Sequence, residues 1–173
     1  IAGPVNLATP VGVVERLNVT SASEMANAFE SVWSGTDVVV MAAAVADYRP
    51  AVMRHEKWKK SDASAAIELE RTTDILGKTA SMPNRADKVV VGFAAETDNL
   101  EENARQKLEK KALDWIVANH VGGSETGFGS GDNEGVLYGV DGAVVGLERS
   151  DKQEFARAIV RHLVPSIRKK GAA

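Results

Sequence analysis

The chain has no cysteine in its 173 residues, so neither disulfide cross-links nor thiol nucleophiles enter its stability or its chemistry. Histidine is nearly as scarce: His55, His120 and His162 stand far apart and form no metal-ligand spacing. No run approaches the roughly 18 apolar residues that cross a bilayer, and the first residues lack the charged-then-apolar order of a signal peptide. A strong excess of one charge is also missing. The net charge of -3 and pI near 5.7 exclude a broad basic face for nucleic acid or anionic membrane; any basic site is local. The G-x-G-x-x-G, Walker-type, G-x-S-x-G and H-E-x-x-H signatures are absent. Tyr48 is followed four residues later by Val52 rather than lysine, which removes the Tyr-Lys pair of a short-chain dehydrogenase.

What is present suits one folded domain over residues 1–173: 44% hydrophobic and 26% charged residues lie near the globular average, and no repeat or linker divides the chain. The most organised stretch is Val38 to Lys60. It passes from a β-branched strand core through small residues (Ala42, Ala43, Ala44) to Asp47, and ends in Lys57, Lys59 and Lys60. A strand that stops in small residues lets a ligand approach the backbone, and cations beyond it can neutralise phosphates.

In chain order, IAGPVNLATP reads as a strand end and a turn-rich loop, and Val13 to Val19 as a short strand. Ser21 and Glu24 form a capping box for a helix carrying Met25, Ala28, Phe29 and Val32 on one face. Val38 to Ala43 is unbroken in hydrophobicity, the pattern of a parallel strand buried on both faces. Residues 49–66 lack a clear period and are expected to form a flap, which is a natural place for charges that close on a substrate. Asp74 caps a short helix, and KVVVGFA (Lys88 to Ala94) repeats the buried-strand pattern. Asp98 caps a helix from Asn99 to about Lys111, and Leu113 to Ala118 is a further strand closing with Asn119. A glycine-rich loop follows from Gly122 to Gly135. Residues 136–147 form a hairpin turning at Asp141-Gly142. A last helix runs from Asp151 to Ile167, and the tail RKKGAA is expected to fray.

Alternating strands and helices with a final hairpin predict an α/β fold: a doubly wound, mostly parallel, Rossmann-like sheet with a C-terminal antiparallel hairpin. Ligands in such sheets bind beyond the carboxyl ends of the strands. Ala42 to Asp47, Gly92 to Glu96 and Ala118-Asn119 are expected to meet there. Each candidate has a plainer reading beside the functional one. The flap lysines bind phosphates or stabilise an oxyanion, or they are solvated charges. Asp47 accepts from a nucleoside or holds hydrated magnesium, or caps a turn. Phe93 stacks on a base or belongs to the core. Lys107 and Lys111, like charges one turn apart, hold an anion or answer a neighbouring acid.

Taken together, IAGPVNLATP, AAAVADYRP, EKWKK, VVGFAAET, ENARQKLEKKALDWIVAN and GFGSGDN resemble phosphopantothenoylcysteine synthetase, the ligase domain fused behind a flavin-dependent decarboxylase in bacterial coenzyme A synthesis. The resemblance covers nearly the whole chain in the family's order. It implies a cytoplasmic, homodimeric enzyme that joins 4'-phosphopantothenate to L-cysteine. CTP, with Mg2+, activates the carboxylate as an acyl-cytidylate and releases pyrophosphate; the cysteine amine then displaces CMP. An ATP-dependent version of the same ligase, or an inactive nucleotide-binding fragment serving as an interaction module, are the alternatives.

Carried over by position, the resemblance assigns nucleotide contacts to Met41, Ala42 and Ala43, the acid to Asp47, and catalytic charge stabilisation to Lys57. It assigns further contacts to Glu70, Arg71, Thr72 and Thr73, the base-side aromatic to Phe93, and helix lysines to Lys107 and Lys111; no protein metal ligand is implied. Thr72-Thr73 replace the family's usual Asn-Pro. The first strand, its glycine-rich loop and first helix lie upstream in the family. The chain is therefore expected to be the carboxyl-terminal portion of the domain, lacking the first βα unit and inactive alone.

Overall fold

A computed structural model describes residues 1–13, 15–53, 56, 66–96, 99–120 and 131–171. In chain order the elements are α1 (Ala22–Val32), β1 (Val38–Met41), β2 (Tyr48–Pro50), β3 (Leu69–Arg71), α2 (Ile75–Lys78), β4 (Val89–Glu96), α3 (Leu100–Lys110), β5 (Trp115–His120), β6 (Asp132–Gly139), β7 (Val144–Asp151) and α4 (Lys152–Gly171). Single 3-10 turns occur at Trp33–Gly35, Thr79–Ser81 and Arg85–Asp87. The chain forms two compact units, one of Ile1–Ser31 with Ala43–Ile75 and one of Val32–Ala42 with Leu76–Ala173.

The second unit is built on a five-stranded sheet of order β1-β4-β5-β6-β7. β1, β4 and β5 run parallel, with Val40 beside Val91 and Phe93 beside Val117. β6 and β7 add the antiparallel hairpin. Val89, Val90 and Val91 are all buried, as a strand covered on both faces requires. On one face Val89, Val91, Trp115, Val117, Leu137 and Leu147 pack against Phe155, Ile159 and Leu163 of α4. Alternation turns Val90 and Ile116 to the other face. α3 makes the crossover from β4 to β5 and buries Ala104 and Leu108. The hairpin turn carries Gly142 at φ 90°, a conformation open to glycine at little steric cost.

Several expectations change in this unit. β1, read as buried on both faces through Ala43, is the edge strand of this sheet, ends at Met41 and leaves Val40 exposed. The hairpin strands reach beyond 136–147 to Asp132 and Asp151. Two further ends shift. The C-terminal helix does not fray at Ile167 but continues to Gly171. Lys170 Nζ is the reason: it donates to Asp114 Oδ1 (2.5 Å) and to the Lys88 carbonyl (2.7 Å). The other change is the fifth strand, which begins at Trp115 rather than Leu113, because the Asp114 carboxylate is occupied with the Val90 amide (2.8 Å) and Arg85 (2.9 Å).

In the first unit, the strand expected over Val13 to Val19 reduces to one parallel bridge, Ala2 with Asn18. Arg16 folds the intervening loop by donating to the Leu7 carbonyl (2.6 Å) and Asn18 Oδ1 (2.8 Å), and leaves Val11 and Val13 exposed with no layer to pack on. The helix cap forms at Ser21 as the sequence predicts, Glu24 N–H donating to Ser21 Oγ (3.2 Å), while the Glu24 carboxylate accepts from the amide one residue earlier, that of Thr20 (2.8 Å). That amide, and then the Thr20 hydroxyl, hold the Glu24 carboxyl below its ordinary range. β2 and β3 pair antiparallel in a two-stranded ribbon. The flap expected at residues 49–66 lies mostly outside the described residues. So do Asp98 and most of the glycine-rich stretch, residues 121–130.

Candidate functional site

In the second unit the carboxyl ends of three parallel strands lie side by side. Register places Met41 beside Gly92, Phe93 beside Val117 and Ala95 beside Asn119. Ala42 and Ala95 are exposed, so the backbone at this edge is open to close approach. Phe93 is half-buried and packs against the α4-side core, in keeping with the plainer of its two sequence readings.

Asn119 stands out at the end of β5. Among the described residues, its Oδ1 and Arg85 Nε are the buried side-chain polar atoms without a hydrogen-bond partner. A buried acceptor left unpaired costs about 1–3 kcal/mol, so this edge keeps an unfilled demand for a donor. Across the register from Asn119 is Gly135. A Cβ there would lie 2.6 Å from the Ala118 carbonyl oxygen and 3.0 Å from Asn119 Oδ1, so glycine lets β6 run close beside the amide. The sequence placed Asn119 at this edge only as a strand terminus; the unpaired acceptor carries no local sequence signal.

The candidate lysines of α3 lie toward the end of that helix. Lys107 is in the last turn of the helix, and Lys111 follows it as the cap, its N–H donating to the Lys107 carbonyl (3.0 Å). α3 leaves the carboxyl end of β4 and descends to the start of β5, a path of about 16 Å for its 11 residues. Both lysines are half-buried. Arg105, nearer the start of α3, stacks over Tyr138 at 5.2 Å from the ring centroid. Burial raises the Tyr138 phenol above its ordinary value, aided by Glu101 and opposed by Arg105.

In the first unit the remaining candidates gather on one loop and the ribbon. Val45 N–H closes a tight turn on the Ala43 carbonyl (3.2 Å). Asp47 follows, exposed. Glu70 takes an ion pair from Arg49 at 2.6 Å, directly across the ribbon, and Arg71 lies over the Tyr48 ring at 6.0 Å. Thr72 reaches back to the loop: its hydroxyl donates to the Ala46 carbonyl (2.5 Å) and its N–H to the Asp47 carbonyl (2.9 Å). Thr73 is exposed. Lys57 lies outside the described residues.

Among the described residues, two cavities of the second unit bear on the site. One of about 620 Å³ runs along α3 and is lined by Asn99, Glu101, Arg105 and Glu109. The other, of about 390 Å³, lies at the amino ends of the strands between Asp87, Trp115, Asp141 and Lys169. Neither includes a residue assigned to the site from the sequence.

The chain is 42% identical over 142 residues to the Coenzyme A biosynthesis bifunctional protein CoaBC of Bacillus subtilis, covering 82% of this chain and 34% of that protein. It is 45% identical over 140 residues to the protein of the same name from Vibrio vulnificus, covering 80% and 34%. The chain thus spans about a third of the length of these curated relatives. A crystal structure of the C-terminal domain of Coenzyme A biosynthesis bifunctional protein CoaBC superposes with a TM-score of 0.78 at 35% identity, covering 96% of this chain and 72% of that one. Its mostly parallel sheet with flanking helices and a terminal hairpin is the fold described above. The model of the DNA/pantothenate metabolism flavoprotein C-terminal domain matches residues 1–166, and this chain belongs to that family, in the phosphopantothenoylcysteine synthetase branch that its motifs indicate.

Proposed function

We propose that the chain forms the nucleotide-binding edge of a phosphopantothenate-cysteine ligase working in coenzyme A synthesis. The observation that carries this reading is the unpaired Asn119 Oδ1 at the open end of β5, beside the Phe93 strand. A buried acceptor on the strand beside Phe93, two residues further along the register, suits a flat base that presents an exocyclic amine. Cytosine and adenine both carry such an amine, so the edge itself accepts either nucleotide; the family resemblance favours CTP.

In this reading Met41, Ala42 and Ala43 admit the nucleotide to the backbone, and Asp47 contacts ribose or substrate. Lys57 stabilises the charge that develops on the carboxyl carbon's oxygen as the cysteine amine displaces CMP from the acyl-cytidylate. Among the described residues no cluster of three metal-ligating side chains occurs. Mg2+ would be carried by the phosphates, with the exposed Asp47 carboxylate able to hold it through retained water. It would neutralise phosphate charge. The bifunctional naming of the relatives supports coupling to a flavin-dependent decarboxylase, and the resemblance supports a cytoplasmic homodimer. No helix among the described residues is long and apolar enough to cross a membrane.

The test is pyrophosphate release by the full-length gene product. Release is expected only with nucleotide, Mg2+ and 4'-phosphopantothenate together, with CMP formed on adding cysteine, and with CTP turned over faster than ATP in parallel assays. Release that ignores phosphopantothenate would refute the ligase, and faster turnover of ATP would refute the nucleotide assignment.

A further inference from the structure

Thr72 makes two contacts with the loop that carries Asp47, and their placement has a specific geometric effect. The Ala46 carbonyl belongs to the peptide plane before the Asp47 Cα, and the Asp47 carbonyl to the plane after it. Thr72 Oγ1 holds the first at 2.5 Å and Thr72 N–H holds the second at 2.9 Å. Orienting both planes fixes φ and ψ of Asp47 together, and with them the direction in which its Cβ leaves the backbone. The carboxylate makes no hydrogen bond or ion pair among the described residues, so nothing else aims it.

Thr72 is suited to this task. It is half-buried, and its β-branched side chain has few rotamers to lose when the hydroxyl is held. It also extends β3, whose register with β2 is pinned by the Arg49–Glu70 ion pair at 2.6 Å and by Arg71 over Tyr48. A ribbon of two three-residue strands is marginal by itself. The hydroxyl bond links this ribbon to the peptide ahead of Asp47, so the ribbon serves as a brace for the loop.

We infer that Thr72 is a positioning residue for the ligation: its hydroxyl, by fixing the peptide plane ahead of Asp47, aims that carboxylate at the bound substrate. The inference rests on the proposed ligase reading, in which Asp47 is the acid of the site. It moves Thr72 from the direct nucleotide contact that the family resemblance implies to a role exercised through Asp47.

The test uses Thr72→Val, Thr72→Ser and Asp47→Asn, singly and combined, in the full-length gene product, with pyrophosphate release and melting temperature measured for each. Valine keeps the shape and the backbone N–H and removes only the hydroxyl donor. It is expected to lower kcat/KM roughly ten-fold, about the net worth of one hydrogen bond, with melting unchanged, and serine is expected to restore activity to within about two-fold. In the Asp47→Asn background Thr72→Val should add no further loss, because the carboxylate that it aims is gone. Wild-type kinetics for Thr72→Val beside an impaired Asp47→Asn would overturn the inference, as would a fully additive double variant or a serine variant as poor as valine. A Thr72→Val protein that melts well below wild type would overturn it in favour of a structural role. Wild-type kinetics for Asp47→Asn would instead overturn the ligase reading of this loop, and the inference with it.

Discussion

Replacing Asp114 with alanine is expected to destabilise the protein by about 3 kcal/mol. Its carboxylate accepts from three donors: the Val90 amide (2.8 Å), Arg85 Nη2 (2.9 Å) and Lys170 Nζ (2.5 Å). The side chains of Arg85 and Lys170 are only 14% and 24% exposed, so water screens these pairs weakly. Removing one partner of a shielded ion pair costs roughly 3–5 kcal/mol, and a stranded amide about 1–3 kcal/mol. Against that, Arg85 keeps bonds to the Lys88 and Ala112 carbonyls, and Lys170 keeps its bond to Lys88. The surviving bonds place the net loss at the low end of the combined range. At about 2–4 °C per kcal/mol for a chain of this size, melting should fall by roughly 6–12 °C. Urea unfolding of Asp114→Ala, Lys170→Met and the double variant measures this directly. Lys170→Met should cost less, and the double variant should be less damaged than the sum by at least about 1 kcal/mol. A loss under about 1 kcal/mol for Asp114→Ala, or strict additivity, would refute the view that this carboxylate ties the end of α4 to the starts of β4 and β5.

Gly92→Ala should cost about 1–3 kcal/mol in urea unfolding, because a Cβ there meets Leu113 Cδ1 and Leu76 Cδ2 at 2.9 Å each; unchanged stability would show that both leucines can yield. Tyr138 titrates higher in the folded state than its ordinary 10.0, chiefly through burial. Its contribution is fully present below that pH and is lost as pH rises toward the folded value. Tyr138→Phe should therefore flatten the decline in stability above about pH 10, and a parallel decline in both proteins would refute the assignment. Asn119→Ala, measured by calorimetric titration of CTP, should weaken binding by several-fold without lowering the melting temperature; unchanged affinity would detach Asn119 from base recognition.

The sheet was legible because its signals are local and repeated. The run from Val89 to Val91 reads as a strand buried on both faces and is one, whereas Val38 to Val40, read the same way, forms the edge strand of the sheet and leaves Val40 exposed, because an unbroken apolar run marks a strand without fixing its place in the sheet. The spacing of Phe155, Ile159 and Leu163 likewise foretold the face that α4 buries. The ribbon was not legible. β2 and β3 are three residues each, every one exposed, with Pro50 in the first, so neither periodicity nor burial marks them. Their pairing depends on Arg49 meeting Glu70 across 21 residues of sequence. The same holds for the end of α4, where the partner of Lys170 is 56 residues away and a tail of charges beside glycine gives no sign of it.

The candidate site divides along the same line. Residues named for small size or aromaticity at strand ends, such as Ala42 and Phe93, were legible from the strand pattern that delivers them. Asn119 was half legible: its place came from the strand, whereas its unpaired acceptor depends on how closely β6 approaches through Gly135. Thr72 was legible only as a motif position, and its hydroxyl points back along the chain to a loop 26 residues earlier. A motif compares residues in sequence order and gives each position a role toward ligand. It has no way to register that one of them spends its side chain on holding another. Where Thr72 replaces the customary residue, the chemistry to compare is therefore the geometry imposed on Asp47 rather than the identity of the side chain at position 72.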